Sequence, residues 1–227
     1  MCLKSVEAFH KFCKVWKPTI RVFGGDGFDL RALRRGATEE EKRDSMLRDY
    51  EMGWKFIDAY KPTTYLRGNH CERLWDMAAQ DKGVISDYAK KCTNEIETRL
   101  AKMRCQMLPY DRRAGVYTLG KLSMVHGFGG GGKTTARTHC HAFGNVLVGH
   151  THAVDHYVSP SITRSFGMTV GCLCDLDMSY MRATIGSLTH SLGWAYGICD
   201  EKTGDFRVWQ AEKIGDQFIA AGEPLFL

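Results

Sequence analysis

Four short apolar runs in this 227-residue chain each end in a glycine beside a side chain that can bind a metal ion. The four endings are Gly25-Asp26, Gly68-Asn69-His70, His126-Gly127 and Gly149-His150-Thr151-His152. Glycine lets a backbone turn sharply and approach an ion closely, and sites in open α/β sheets form beyond the carboxyl ends of the strands. The pattern therefore predicts an α/β chain with a metal site at the ends of its strands.

The side chains at these endings have the chemistry of a transition-metal site. A strand places residues i and i+2 on one face, so His150 and His152 can point towards the same place. Converging imidazoles, together with carboxylate and amide oxygens, suit a transition metal. An isolated His-x-His pair is more simply a surface pair at a loop tip, but the recurrence of the ending favours a metal centre. The candidate ligands are Asp26, Asn69, His126, His150 and His152.

Hydrophobic periodicity and turn residues predict the elements around these endings. Helices are predicted at residues 4–16, 38–60 and 72–107. The second helix opens with a capping box at Thr38 and Glu41, and the third is broken near Gly83. The early strand–helix–strand order predicts parallel strands, and the later strands are expected to be mostly antiparallel. Strands are predicted at residues 19–23, 63–66, 116–119, 122–125, 154–158, 169–176, 194–199 and 206–211.

The glycine-flanked endings resemble, in order, the later motifs of the calcineurin-like metallophosphoesterases. The resemblance runs from about residue 20 to the C-terminus and includes the segment Gly25-Asp26-Gly27-Phe28-Asp29. It implies an α/β/β/α sandwich, in which two mixed sheets are flanked by helices in a single domain over residues 1–227. It also implies hydrolysis of a phosphomonoester or phosphodiester by metal-activated hydroxide.

The resemblance further implies a role for each candidate ligand. Asp26 would bridge two divalent transition metals. Asn69, His126 and His150 would ligate one of these metals, and the remaining candidate, His152, would ligate the other. A mixed nitrogen and oxygen site accepts Mn, Fe, Ni, Zn or Co, of which Mn is favoured here.

Two further residues are candidates for the catalytic step. His70 follows Asn69 directly, and two adjacent side chains rarely bind the same ion, so His70 remains available for proton transfer. The resemblance implies that His70 protonates the leaving oxygen as a general acid and is paired with Asp29. The alternative for Asp29 is a structural role as the cap of a helix or turn. Three arginines lie close to these motifs in the sequence: Arg31, Arg67 and Arg73. They could bind a phosphate group, but they are more simply explained as surface residues.

One motif of the family is missing. The family usually carries an Asp-x-His at the end of an earlier strand, and no Asp-x-His occurs in this sequence. The chain is therefore expected to begin one strand late, either because the natural protein is longer or because this is an unusual member. The second metal would keep only Asp26 and His152, so weak or single-metal activity is expected. The alternative function is a degenerate, non-catalytic member that binds nucleic acid or another partner.

A competing motif lies at residues 127–134, which match the nucleotide-binding pattern G-x-x-x-x-G-K-[ST] and follow a predicted strand. The loop comes late in the chain and leaves few residues for a nucleotide-binding sheet. The segment after it is short and rich in histidine and threonine. A P-loop nucleotide hydrolase is therefore the less favoured alternative.

The composition agrees with a cytoplasmic enzyme that acts on an anionic substrate. The net charge of +5 and the pI of about 8.7 are compatible with a phosphate ester, including a nucleic acid or nucleotide, without requiring one. Nine cysteines without a C-x-x-C motif argue against a disulfide scaffold. Cys172 and Cys174 are expected on one face of a strand rather than at a metal. No run of membrane-span length and no signal peptide is recognised, so no membrane partner is expected.

Overall fold

The structure, a computed structural model, describes residues 1–80, 83–129, 134–176, 185–220 and 223–226. By its internal contacts the chain divides into two compact units. The parallel-sheet unit is Thr19–Val116, and the two-sheet unit is Met1–Pro18 together with Tyr117–Leu227. The expectation of a single domain over residues 1–227 stays a prediction.

Within the described ranges there are five α-helices and twelve strands. The helices are α1 (Leu3–Trp16), α2 (Met46–Tyr60), α3 (Asn69–Ala79), α4 (Val84–Lys102) and α5 (Thr135–Phe143). The strands are β1 (Val22–Phe23), β2 (Thr64–Leu66), β3 (Gln106–Leu108), β4 (Tyr117–Leu119), β5 (Leu122–Val125), β6 (Val146–Val148), β7 (Val154–Val158), β8 (Phe166–Val170), β9 (Gly193–Cys199), β10 (Phe206–Ile214), β11 (Gln217–Ala220) and β12 (Glu223–Phe226). The α/β class is confirmed, but the described strands form three sheets, whereas two were predicted.

The parallel-sheet unit is built on the predicted strand–helix–strand order. Its strands β1, β2 and β3 lie side by side in that order and are all parallel. The predicted pairing is confirmed, with Val22 opposite Thr64. Strand β3 was missed, because the helical pattern was extended to residue 107 whereas α4 ends at Lys102. The core of this unit includes Phe28, Ile57, Tyr65, Leu74, Ile96 and Leu100, all buried.

The capping box is present, but it opens a shorter helix than predicted. The Glu41 amide donates to Thr38 Oγ1 at 3.2 Å, and the Thr38 amide donates to Glu41 Oε2 at 2.8 Å. These bonds begin only a 3₁₀ helix at Glu41–Arg43. The long helix α2 starts later, where Ser45 Oγ accepts from the Arg48 amide at 3.3 Å. The chemistry of the cap was predictable, whereas the length of the helix it starts was not.

The apolar stripe predicted on the third helix is only partly buried. Cys92, Ile96 and Leu100 lie in the core, as expected for the packed face of α4. Ile85 and Tyr88, in the first turns of the same helix, are more than half exposed. The helical period identified the packed face, but it did not show where along α4 that packing begins.

The two-sheet unit contains a mixed sheet and an antiparallel sheet. The mixed sheet has the order β4-β5-β6-β8-β7, with β5, β6 and β8 parallel and an antiparallel strand at each edge. The antiparallel sheet has the order β12-β11-β10-β9. The predicted hairpin of β4 with β5 and the antiparallel character of the later strands are both confirmed.

Helix α1 belongs to the two-sheet unit and packs through its aromatic residues. Phe12 lies edge-on to Tyr196 of β9, with ring centroids 4.7 Å apart. Trp16 contacts both Tyr196 and Trp209 of the antiparallel sheet at 5.0 and 6.1 Å. The apolar face that the sequence predicts for residues 4–16 is therefore the face that covers this sheet.

Two expectations about composition can be compared with the fold. All nine cysteines are free thiols. In the part of the chain that the structure describes, no helix has the length and apolar character needed to cross a membrane.

Candidate functional site

The residues predicted for the site fall into two groups, one in each unit. Those in the parallel-sheet unit are Asp26, Asp29, Asn69 and His70. Those in the two-sheet unit are His126, His150 and His152. The prediction that both groups serve common metal ions stays a prediction, and the geometry within each unit can be given separately.

Asp26 is held at the beginning of helix α3. This helix starts at Asn69, directly after the N-cap residue Gly68. Asp26 Oδ1 accepts a hydrogen bond from the backbone amide of His70 at 2.9 Å. First-turn amides have no acceptor within their helix, and the positive end of the helix dipole favours a carboxylate there. Capping therefore brings Asp26 beside Asn69 and His70, which are far from it in sequence.

This arrangement requires glycine at position 68. A Cβ atom added to Gly68 would overlap Asp26 Oδ1 and would lie 2.6 Å from the Asp26 backbone nitrogen. Contacts this short are not tolerated without movement of the backbone, because the neighbouring atom is itself part of the main chain. The sequence pattern predicted that glycine allows the backbone to come close to a ligand. At Gly68 it is the position of Asp26 that requires the glycine.

His70 and Asp29 form the pair that the sequence predicted. His70 Nδ1 lies 2.8 Å from Asp29 Oδ1 and 3.9 Å from Asp26 Oδ2. A proton on Nδ1 would be donated to Asp29, which holds the ring in one orientation and leaves Nε2 to act on a substrate. The imidazole is mostly buried, with 21% of its side chain exposed. This geometry suits a positioned proton donor.

The segment that carries Asp29 is held from α2 by Asp49, which the sequence analysis did not identify. Asp49 accepts hydrogen bonds from the backbone amides of Asp29 at 3.3 Å and Leu30 at 2.8 Å. Burial raises the pKa of Asp49, although these two hydrogen bonds oppose the shift. No local pattern marks this role, because Asp49 also fits the ordinary preference for acidic residues in the first turn of a helix.

Cys71 has a structural role beneath the same loop. Its thiol lies 3.3 Å from the hydroxyl of Tyr65 and 3.5 Å from the carbonyl oxygen of Phe28. The Tyr65 hydroxyl also accepts from the backbone amide of Gly27 at 3.2 Å. Burial, reinforced by the nearby Asp26 carboxylate, raises the pKa of Cys71 to about 11. The thiol therefore stays protonated at neutral pH, which argues against a nucleophilic role.

The three arginines considered as phosphate ligands all have partners within the parallel-sheet unit. Arg31 Nη2 lies 2.8 Å from Asp44 Oδ2, and Arg67 Nε lies 2.7 Å from Glu72 Oε2. Arg73 donates to the backbone oxygen of Asp29 at 2.8 Å. These contacts give each arginine a structural reason for its position.

In the two-sheet unit, His126 and His150 leave the mixed sheet at the same edge. Strands β5 and β6 are parallel, with Val125 opposite Val148, so the residues that follow them emerge together. The two imidazoles are steeply inclined to each other, with an angle of 67° between the ring planes and ring centroids 5.2 Å apart. Gly127 allows this approach, since a Cβ atom there would lie 2.9 Å from His150 Cβ. The parallel pairing of β5 with β6 therefore brings these two imidazoles together.

The orientation of His150 suits a metal ligand. Its Nε2 lies 3.0 Å from the backbone oxygen of Gly129. A neutral imidazole that donates from Nε2 to this carbonyl carries its lone pair on Nδ1. Histidines that bind metals commonly donate their other ring nitrogen to a carboxylate or carbonyl in this way.

His139 of α5 fixes the loop after His126. Its Nε2 accepts from the backbone amide of Phe128 at 3.0 Å, and its Nδ1 lies 2.9 Å from the backbone oxygen of Thr135. This pair of bonds requires the proton on Nδ1. Burial lowers the pKa of His139, although the bond to Thr135 opposes that shift. No pattern in the sequence marks this positioning role.

The lowered pKa predicts how acid affects stability. Because the folded-state pKa of His139 lies below its ordinary value of 6.5, the unfolded chain binds more protons between the two values. The contribution of His139 to the free energy of unfolding is therefore complete above pH 6.5 and is lost as the pH falls through the folded-state pKa. Urea unfolding at several pH values should show that acid lowers the free energy of unfolding less for His139→Gln than for the unchanged protein.

The variant must be compared with the unchanged protein because the pKa values of other, partly buried histidines shift in the same direction. His10 and His190 also have lowered pKa values, with burial as the main cause. Their protonation lowers the free energy of unfolding of both proteins in acid, so only the difference between the two proteins reports on His139. Identical pH profiles for the two proteins would contradict the assignment.

Backbone conformation marks the predicted ligands in both units. Eight non-glycine residues have positive φ angles in the described part of the chain. Three of them are predicted ligands: Asp26 at 54°, His150 at 65° and His152 at 54°. Such conformations cost about 1–3 kcal/mol each and cluster at functional sites. The strain at these residues supports a functional reason for their placement.

His152 has neighbours that the sequence analysis did not expect. Strand β8 ends at Val170, so Cys172 and Cys174 lie in the turn after it and not on a continuing strand face, which corrects the prediction for residues 169–176. His152 Nδ1 lies 3.9 Å from Cys174 Sγ, and the two sulfur atoms are 3.1 Å apart. The pKa of Cys172 is lowered by the hydrogen bond from Cys174, and the same bond raises the pKa of Cys174.

Comparisons with protein-family models, curated proteins and solved structures found no match to this chain. The functional assignment therefore depends on the residues and their geometry.

The competing nucleotide-binding motif falls largely outside the described residues. Its central glycines and Lys133 lie in residues 130–133, which the structure does not describe. The flanking Phe128 amide donates to His139, as given above. The P-loop alternative therefore stays a prediction.

Proposed function

We propose that this chain is a metal-dependent phosphoesterase with the calcineurin-like fold, acting on a phosphomonoester or phosphodiester. The observation that carries the proposal is the arrangement of His70 with its two carboxylates. His70 Nδ1 is 2.8 Å from Asp29, and the His70 amide binds Asp26 at 2.9 Å. The Asp29 carboxylate orients the imidazole, and the Asp26 carboxylate, whose Oδ2 is 3.9 Å from His70 Nδ1, is the group that would bind a metal ion.

The donor set fits divalent transition metals, with manganese favoured. Asp26, Asn69, His126 and His150 would hold one ion, and His152 together with Asp26 would hold the other. Asp26 is anchored by a helix amide, and His150 is oriented by the Gly129 carbonyl, so both are prepared for this role. When bound, the metals would neutralise charge on the phosphoryl group and make a water molecule more acidic.

The remaining chemistry belongs to His70 and Asp29. Asp29 holds the imidazole through Nδ1, so Nε2 is the atom that would give its proton to the leaving oxygen. The net charge of +5 agrees with an anionic substrate. A nucleotide or nucleic-acid ester and a cytoplasmic location are part of the proposal.

The proposal is tested by removing one ligand from each unit. Asp26→Asn and His150→Ala are each expected to lower manganese-dependent hydrolysis of p-nitrophenyl phosphate and its bis-ester by at least about 100-fold, since losing even a residue that only orients a ligand costs roughly 10–100-fold in metal affinity. His141→Ala is the matched control, because His141 is an α5 histidine whose Nε2 contacts the Tyr157 hydroxyl at 3.0 Å. Full activity in both ligand variants would refute the proposal.

A non-catalytic binding function is the second candidate, favoured by the missing Asp-x-His motif. It predicts that the unchanged protein hydrolyses neither ester with manganese present but still binds an anionic partner. Turnover that depends on added metal, and that chelation abolishes, would exclude this candidate.

A further inference from the structure

A second group of metal-binding side chains lies entirely within the two-sheet unit. His152, Cys172 and Cys174 each offer one ligand atom, and these three atoms all lie within 4.8 Å of one another. All three residues are partly exposed. They come from two different segments of the chain, so their convergence is produced by the tertiary structure and not by sequence spacing.

The separations are close to those of a tetrahedral zinc site. Zinc–sulfur bonds of about 2.3 Å and zinc–nitrogen bonds of about 2.0–2.1 Å place two sulfurs about 3.8 Å apart and a sulfur and nitrogen about 3.6 Å apart. The observed Cys172–Cys174 sulfur separation is 3.1 Å, and the separation from His152 Nδ1 to Cys174 is 3.9 Å. Both differ from the ideal separations by less than about 1 Å, which side-chain rotation can supply.

The backbone that carries these ligands is fixed by hydrogen bonds through Ser191. The Ser191 amide donates to the carbonyl oxygen of His152 at 2.7 Å, and the Ser191 carbonyl accepts from the Cys172 amide at 3.1 Å. Leu173, between the cysteines, accepts from the amide of Cys2 at 3.0 Å. The ligand segments are thus positioned before any ion binds, which reduces the ordering cost of binding.

The ligand chemistry differs from that proposed for hydrolysis. Two thiolates and one imidazole form a soft donor set that favours zinc and similar thiophilic ions, whereas carboxylate and amide oxygens suit manganese. Near the same ring, the buried Nδ1 of His190 has no hydrogen-bond partner among the described residues, and the two imidazole centroids are 5.2 Å apart. A bound ion or its water ligand would give that nitrogen a polar neighbour.

We propose that His152, Cys172 and Cys174 bind one thiophilic divalent cation of the zinc class. The cation replaces the thiol protons: each cysteine gives up one proton and forms one metal–sulfur bond, and His152 binds through Nδ1. Three protein ligands leave a fourth coordination position for water or another ligand. His152 is also the candidate ligand of the second hydrolytic metal, so Cys172 and Cys174 are the ligands that distinguish this site. Binding of the cation to these thiols can be measured without any phosphoesterase activity.

The test is a titration of the reduced, metal-free 227-residue chain with cobalt(II) and then with zinc. Cobalt is expected to produce one equivalent of thiolate-to-metal charge-transfer absorption, which zinc removes as it displaces cobalt. Zinc binding should release about two protons per ion at a pH where both thiols are protonated. Cys172→Ser, Cys174→Ser and His152→Ala should each weaken zinc binding by more than the roughly 10–100-fold typical of residues that only orient a ligand.

Matched controls come from the same unit. Cys199→Ser removes another partly exposed thiol, and His156→Ala removes a histidine whose Nε2 contacts Gln210 at 2.8 Å. Both should give the same thiolate-to-cobalt charge-transfer band as the unchanged protein. Asp26→Asn should also keep this band, because the band reports only on metal bound to the two cysteines. An unchanged charge-transfer band in the double variant Cys172→Ser/Cys174→Ser would overturn the proposal.

A measurement without substitutions guards against variants that fail to fold. The ¹¹³Cd resonance of the unchanged protein depends on how many sulfur atoms bind the metal. A chemical shift in the range of two thiolate ligands supports the proposal. A shift typical of oxygen and nitrogen ligands alone, or the absence of bound cadmium, would overturn it.

Discussion

Replacing His70 by glutamine is expected to lower kcat for phosphate-ester hydrolysis by about 10²–10⁴-fold, the range typical of losing a general acid. The structure places the His70 imidazole 2.8 Å from Asp29, in an orientation suited to proton transfer from Nε2. Glutamine retains a polar side chain of similar reach but cannot deliver a proton. Steady-state kinetics with saturating manganese provide the measurement.

The leaving group makes this prediction specific to proton donation. A p-nitrophenolate leaves without much help, whereas an alkoxide leaves only when it is protonated. The loss in His70→Gln should therefore be much larger for an alkyl phosphate ester than for p-nitrophenyl phosphate. An equal loss for both substrates would indicate that His70 contributes to binding or structure and would contradict the assignment.

Asp29→Asn provides the comparison for a residue that acts through His70. The amide can still contact Nδ1, so the ring should keep its place while its electrostatic partner is lost. The variant should lose less activity than His70→Gln, and its loss should also be larger for an alkyl phosphate ester than for p-nitrophenyl phosphate, because Asp29 acts through the proton donor. An equal loss for both substrates would leave Asp29 with a purely structural role.

Gly68→Ala is expected to lower both the stability of the protein and its metal-dependent activity. The new Cβ would overlap the Asp26 carboxylate and lie 2.6 Å from the Asp26 backbone nitrogen. Relieving such an overlap typically costs about 1–3 kcal/mol of unfolding free energy. It would also move Asp26 away from the His70 amide, so metal-dependent hydrolysis should fall together with stability. Urea unfolding and the esterase assay measure the two effects.

Gly24→Ala is the matched control for this substitution. Gly24 precedes Asp26 in the same loop, but a Cβ atom added there meets no atom within 4 Å. Its stability should stay within about 0.5 kcal/mol of the unchanged protein, as for most surface substitutions. If Gly68→Ala were as stable and active as Gly24→Ala, the close packing of Asp26 against the start of α3 would not be needed for function.

The elements that depend only on residues close together in the sequence could be predicted. Helix α1 follows from an apolar residue at each turn, and the β4–β5 hairpin follows from two apolar runs across Gly120-Lys121. The glycines at strand ends also indicated where the backbone comes close to another side chain, namely at Gly68 beside Asp26 and at Gly127 beside His150. These signals are local, because periodicity and turn chemistry act over a few residues.

Other features required the folded chain. The capping box at Thr38 made the expected bonds, yet the length of the helix after it depended on packing elsewhere in the unit. Asp49 and His139 look ordinary in the sequence, but Asp49 accepts from two backbone amides of an earlier loop and His139 accepts from one. Such contacts join residues whose separation along the chain carries no regular pattern, so no period or motif reveals them.

The sequence by itself determined the α/β class, the parallel pair of β1 with β2, the β4–β5 hairpin and the residue types available for metal chemistry, because these depend on local pattern and composition. The tertiary structure alone decided that β8 stops at Val170 and turns, so that Cys172 and Cys174 meet His152. The physical reason is that backbone bonds from Ser191 bring together two segments remote in sequence. The sequence shows which side chains can bind a metal, whereas only the folded structure shows which of them come together.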